Sequence, residues 1–181
     1  MLVVGFAAPS AAQEDAPAVE VAAGWNYIAA RSNATNEWEH FYRGGFGEVA
    51  GNLNNRWGVV GNVGYDQKTV TEIEGDITFK VIPYLFGVRL SERTNPKTTP
   101  FVHFLAGATQ LKASLGSESV DETNFTWQVG GGLNINASGR LGARAGFDYI
   151  RIQGKDDGDL SGGEAIQGLR LTAGIVVGFG G

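Results

Sequence analysis

Apolar residues alternate with polar residues or glycine in eight segments of this chain, each about ten residues long. The last segment is the clearest, reading Leu-Arg-Leu-Thr-Ala-Gly-Ile-Val-Val-Gly-Phe from Leu169. Side chains along a strand point to opposite sides with period two. Leu169, Leu171, Ala173, Ile175, Val177 and Phe179 therefore share one face, and Arg170, Thr172, Gly174 and Gly178 share the other. A continuous apolar stripe on strands of this length suits a wall with lipid outside and polar groups inside.

Seven more strands follow from the same reading. The first, Val19 to Ile28, groups Val19, Val21, Ala23, Trp25 and Tyr27. The second runs from about His40 to Leu53, with Val49, Gly51 and Leu53 out and Glu48 in, and Asn54-Asn55 predicts a tight turn after it. The third, Trp57 to Tyr65, sets Val59, Val63 and Tyr65 against Asn62. In the fourth, Ile77 to Ser91, Ile82, Tyr84, Phe86, Val88 and Leu90 oppose Leu85, Gly87 and Arg89. Pro83 in that strand cannot donate to a ladder, which predicts a bulge.

The fifth strand, Phe101 to Leu111, puts Val102, Phe104, Ala106 and Ala108 out and His103 in. The sixth, Phe125 to Ile135, sets Phe125, Trp127, Val129, Leu133 and Ile135 against Thr126, Gln128, Gly130, Gly132 and Asn134. The seventh, Leu141 to Ile152, sets Leu141, Ala143, Ala145, Phe147 and Tyr149 against Arg144 and Asp148. Short turns follow strands two, four and six. Longer polar loops, Arg31–Glu39, Asp66–Gly75, Lys112–Asn124 and Gln153–Ile166, follow the others.

An even-stranded barrel with both termini on the short-turn side produces this alternation. The predicted fold is all-β, an eight-stranded antiparallel up-and-down transmembrane β-barrel. Trp25, Tyr27, Tyr65, Trp127, Tyr149 and Phe179 form the expected lipid-facing girdle, with Trp57 and Phe101 near further strand ends.

A chain of 181 residues fits one domain, and its 28 glycines suit the bends and close approaches of a small barrel. No run of about 18 apolar residues exists, which excludes a transmembrane helix. Net charge of -5 and a pI near 5.0 argue against nucleic acid as a partner. Without cysteine there is no disulfide framework and no thiolate chemistry. Residues 1–12 end in the small residues Ser10-Ala11-Ala12, the pattern of a signal-peptide remnant, which leaves 13–181 as the barrel.

Several segments resemble the small eight-stranded outer-membrane barrels of Gram-negative bacteria, the OmpA-like and OmpX-like family. They are Asn62-Val63-Gly64-Tyr65-Asp66, Tyr84-Leu85-Phe86-Gly87-Val88-Arg89, Pro100-Phe101-Val102-His103 and the closing strand through Phe179. The likeness spans Val19 to Phe179. It implies residence in the bacterial outer membrane, with lipid and the barrel-assembly machinery as partners. That machinery reads an outward aromatic at the end of the last strand; Phe179 is in phase for this, with Gly180-Gly181 beyond it. The resemblance further implies a monomer without enzymatic activity or cofactor, in a structural or surface-contact role. Adhesion, serum resistance and envelope integrity are the roles it suggests, with a host or surface ligand held by the loops. With no peptidoglycan-binding domain after the barrel, a cell-wall tether is not expected.

If the stripe faces lipid, Glu48, Arg89, His103, Arg144, Asp148 and Arg170 face the interior. An eight-stranded barrel is just wide enough for side chains to fill, so these charges must pair. The expected result is a salt-bridge network that plugs the lumen. A proton-linked or ion-conducting role for His103 is an alternative. A lipid-modifying enzyme would need a base, for which His40 beside Glu37 and Glu39 is the candidate, although no Gly-x-Ser-x-Gly pattern accompanies it. Asp157-Gly158-Asp159-Leu160-Ser161-Gly162 resembles half a calcium loop, but Gly168 stands where the bidentate Glu belongs, so no metal is expected. A soluble lipocalin-like barrel binding a lipophilic ligand is the structural rival, with the apolar stripe turned inward.

Overall fold

The computed structural model describes residues 16–32, 38–72, 75–115, 118–138, 140–154 and 165–180. The expected signal-peptide remnant at 1–12 and the acidic Asp157 segment lie outside the described residues. Eight strands form one closed barrel: β1 Val19–Ser32, β2 Trp38–Asn52, β3 Trp57–Glu72, β4 Gly75–Ser91, β5 Thr98–Leu115, β6 Glu118–Ser138, β7 Leu141–Gln153 and β8 Ile166–Phe179. Each pairs antiparallel with its neighbours in sequence, and β8 closes on β1 with Val19 opposite Phe179.

The ladder is staggered. From Arg31 it passes through Gln167, Arg151, Trp127, Ala106, Phe86, Gly61 and Val49 and re-enters β1 at Val21, ten residues from its start. Such a shear with eight strands corresponds to a tilt of about 40°. The outward apolar run Leu169 to Phe179 then rises about 25 Å along the barrel axis, at ~3.3 Å per residue along the strand. That is the height of a hydrocarbon band.

Alternation fixes the faces as expected. Val21, Val63, Phe86, Val102, Val129, Phe147 and Ile175 are exposed on the outer wall, while Arg89, Asp148 and Arg170 are buried. The lipocalin-like alternative fails here, because the apolar stripe is outside. Phe101 departs from the girdle reading. It shares its face with His103, two residues on, and is buried in the lumen.

Two predicted loops are largely strand. Asp66–Gly75 and Lys112–Asn124 belong to the β3–β4 and β5–β6 hairpins, which leave only residues 73–74 and 116–117 between strands. Cross-strand pairs such as Gln67↔Lys80 and Lys112↔Asp121 continue the ladders beyond the apolar band. Both faces of a strand meet water there, so hydrophobic alternation disappears while backbone pairing persists.

Nor does Pro83 sit in a bulge. The β3–β4 register is the same on both sides of it, and pairs are lost only where Gly64 and Tyr65 stand opposite Pro83 and Ile82. Gly64 makes the room: a Cβ there would lie 2.8 Å from the proline Cγ. The register shifts fall elsewhere, in β2 opposite Tyr27 and in β6 near Ala137. The Asn54 turn is as expected, its Oδ1 accepting from the backbone N–H groups of Arg56 and Trp57 at 2.9 and 2.8 Å. At the chain end Gly180 adopts φ 73°, and its carbonyl accepts from Ala18 N–H at 2.9 Å.

Candidate functional site

The lumen begins as a consequence of parity. Every second residue of each strand must point inward, and eight strands converge on a narrow bore. Part of the filling is apolar: Ala50, Val60, Leu85 and Leu105 form one cluster and Ala22, Phe46 and Val176 another. Between them lies charge.

Toward the short-turn end, Arg89 donates to Glu48 Oε1 at 2.9 Å and to Glu20 Oε2 at 3.2 Å. Arg144 pairs with the same Glu48 oxygen, donates from Nε to Asn134 at 2.8 Å, and lies 3.7 Å from Glu20. Arg93 completes the cluster by donating to Glu20 Oε1 at 2.9 Å. Both guanidinium groups lie over the Phe101 ring, Arg89 at 5.1 Å and Arg144 at 4.9 Å from its centroid. Its π face offsets repulsion between like charges that the barrel forces together.

At mid-height the network continues. Asn62 donates to Glu48 at 3.1 Å, and Arg170 donates to Asn62 at 3.1 Å and to Gln128 at 3.3 Å. His103 Nε2 lies 2.7 Å from Asp148 Oδ1. Higher still, Asn26 donates to Asp66 at 2.6 Å and Thr126 to Thr109 at 2.7 Å. A void of only about 10 Å³, room for roughly one water, remains between Glu48, His103, Arg144, Asp148 and Arg170.

All six residues expected inside are there, buried and joined by hydrogen bonds or ion pairs. The sequence reading missed Glu20, Arg93, Asn26 and Asp66. Glu20 could have been found, since it sits between Val19 and Val21 of the apolar stripe. Asp66 was assigned to a loop, so its parity was not read. Arg93 lies beyond the end of β4 and folds back onto Glu20, which no periodicity signals. With these additions the lumen balances four carboxylates, Glu20, Glu48, Asp66 and Asp148, against Arg89, Arg93, Arg144 and Arg170.

The six expected girdle residues all lie on the outer wall. Trp25, Tyr65 and Phe179 are exposed, while Tyr27, Trp127 and Tyr149 are half-buried by neighbouring rings. Tyr65 donates to Gln67 and Tyr149 to Gln167, each at 2.8 Å. Phe179 lies at the opposite end, near Val19.

His40 is on the outer wall too, with Nδ1 2.6 Å from the Tyr27 hydroxyl, and Glu39 pairs with Lys68 instead. In the β4–β5 turn Thr94 donates to Glu92, which holds that exposed carboxyl below its ordinary range.

Residues 1–175 match the outer membrane protein β-barrel domain family. Among solved structures, Neisserial surface protein A is 16% identical, with a TM-score of 0.69 over 92% of this chain and 100% of that one. Ail of Yersinia pestis, solved with the heparin analogue sucrose octasulfate, is 21% identical, with a TM-score of 0.57 over 87% and 98%. OprG of Pseudomonas aeruginosa is 9% identical, with a TM-score of 0.58 over 93% and 98%. No match was found among curated protein sequences.

Proposed function

The chain belongs to the outer membrane protein β-barrel domain family, and from that premise we propose a non-enzymatic barrel whose lumen is plugged and whose work is done at its outer surfaces. The girdle residues Trp25, Tyr27, Tyr65, Trp127, Tyr149 and Phe179 anchor it in lipid, aromatic side chains being favoured at the interfaces.

The observation that carries the reading is the Glu20–Glu48–Arg89–Arg144 cluster, with the Phe101 ring against both guanidinium groups. Buried ion pairs with further hydrogen bonds hold their geometry, because breaking one exposes an uncompensated charge. Aqueous channels are found in barrels with many more strands.

With the bore closed, contact with other molecules falls to the extended β3–β4 and β5–β6 hairpins and to the segments after β1 and β7. Arg31–Glu39, Asp66–Gly75, Lys112–Asn124 and Gln153–Ile166 together hold, besides the lumenal Asp66, eleven acidic residues and four basic ones. Ail was crystallised with a polyanion. The charge here favours a cationic surface ligand instead, since like charge repels encounter. The test is single-channel recording of the refolded chain in planar bilayers. Absence of steady conductance is the expected result, and a stable open level would overturn the plug.

A further inference from the structure

One backbone arrangement repeats four times around the short-turn rim. The residue just before each odd-numbered strand lends its carbonyl to an N–H at the end of the following strand. Ala18 accepts from Asn52 at 2.9 Å, Arg56 from Ser91 at 2.7 Å, Lys97 from Asn136 at 2.9 Å and Arg140 from Gly178 at 2.8 Å. Each bond extends its ladder by one position in unchanged register. Three of the four positions are cations. Asn54 and Asn95 fix two of the turns further, their Oδ1 atoms accepting from the N–H groups of Arg56 and Lys97 at 2.9 Å.

Parity decides which way these cations face. Trp57, Leu141 and Ile135, the last paired with Thr98, are exposed on the outer wall. The next ladder positions, Arg56, Arg140 and Lys97, therefore belong to the lumenal face. All three are exposed at the rim, so their charges ring the mouth and meet water rather than the lipid around the wall. Strand spacing and tilt set neighbouring cations about 11 Å apart at the backbone, and Arg56 about 16 Å from Arg140. Among the described residues none of the three is in an ion pair. Of the other charges in these turns, Arg93 is taken by Glu20. The exposed Glu92, which Arg56 also influences, is taken by Thr94.

We propose that Arg56, Lys97 and Arg140 form a three-point contact for a carboxylate-bearing polymer beneath the membrane, the peptide-substituted glycan of the cell wall. Short turns mark the periplasmic end of such barrels, so the rim faces that space. A single lipid headgroup cannot span the three points, and headgroups surround the wall from outside while these cations stand within it. A folded protein partner would want an apolar core to its contact. The turns offer Asn54, Asn55, Thr94 and Asn95 instead, and their one leucine, Leu53, falls on the outer-wall side. Amides and fixed cations suit a hydrated chain of amides and carboxylates. The contact lies in the barrel itself and is independent of whether the bore conducts.

The test is cosedimentation of the full chain, folded in detergent, with purified insoluble cell-wall glycan. The same wall material with its carboxyl groups converted to amides is the control. The chain should pellet with the native wall and stay in solution with the amidated one, and about 0.5 M salt should release it. R56Q/K97Q/R140Q should weaken binding roughly tenfold, the effect of three exposed ion pairs acting together. K80Q, at the opposite end of the barrel, should bind as the wild type does. Equal pelleting with the two walls, or an unaffected triple variant, would overturn the contact. Release by anionic phospholipid added to the micelles would reassign the rim to the inner leaflet. Pelleting seen only in E14Q/D15N would mean that the acidic residues preceding Ala16 occupy the rim themselves. Either result overturns the wall assignment. If the triple variant does not fold, the wild-type chain decides by its preference for native over amidated wall and by the salt dependence of that preference.

Discussion

Val88, Arg89 and Leu90 are consecutive in β4, yet they live in different solvents. Arg89 is 1% exposed and holds two carboxylates in the lumen, while Val88 and Leu90 are 47% and 38% exposed on the outer wall. Lumen and wall invert the usual rule that apolar residues go inside. The inversion is affordable only because lipid, not water, meets the wall, so burying hydrocarbon cannot drive the fold as it does in a soluble core. Cohesion falls instead to backbone ladders closed through β1 and β8 and to lumenal ion pairs that are costly to leave unpaired.

That contrast can be broken most severely from within. Glu48→Ala leaves Arg89 and Arg144 short of an acceptor in a buried site, and the expected loss is about 3–5 kcal/mol in urea unfolding of the lipid-reconstituted barrel. A loss under about 1 kcal/mol would mean that the lumenal charges are solvated rather than structural. The wall comes next. Phe104→Arg places a charge midway along the apolar band and should cost about 2–4 kcal/mol in the same measurement. If it were neutral, that face would not be in hydrocarbon.

The smallest effect belongs to the mouth, where lumen and wall both reach water. Lys68→Met removes a half-exposed ion pair with Glu39 and should shift stability by no more than about 0.5 kcal/mol. Together the three variants should rank lumen, wall and mouth in that order.

Most of the interior was legible from parity alone. Arg144 and Asp148 sit four residues apart on the polar face of β7, and Arg170 falls on the face opposite the apolar stripe of Leu169 and Leu171. Strand length was not legible. Thr69 pairs with Thr78 and Lys112 with Asp121 above the apolar band, where polar residues on both faces carry no periodic signal. Pro83 misled in a different way. A proline in a strand signals a lost hydrogen bond, but whether a bulge or a facing glycine absorbs it depends on the partner strand, and Gly64 lies outside any local window.

Eight alternating segments, the inward or outward sense of most residues within them and the fold class were determined by the sequence itself, because period two is a local property of an extended chain. Tertiary structure alone decided which charges meet. Arg144 reaches Glu48 and Glu20 across the bore, and Phe101 packs against both Arg89 and Arg144, because closure and a ten-residue shear set the heights at which strands distant in sequence face each other. Those heights depend on every ladder at once, and no stretch of sequence shorter than the whole barrel contains them.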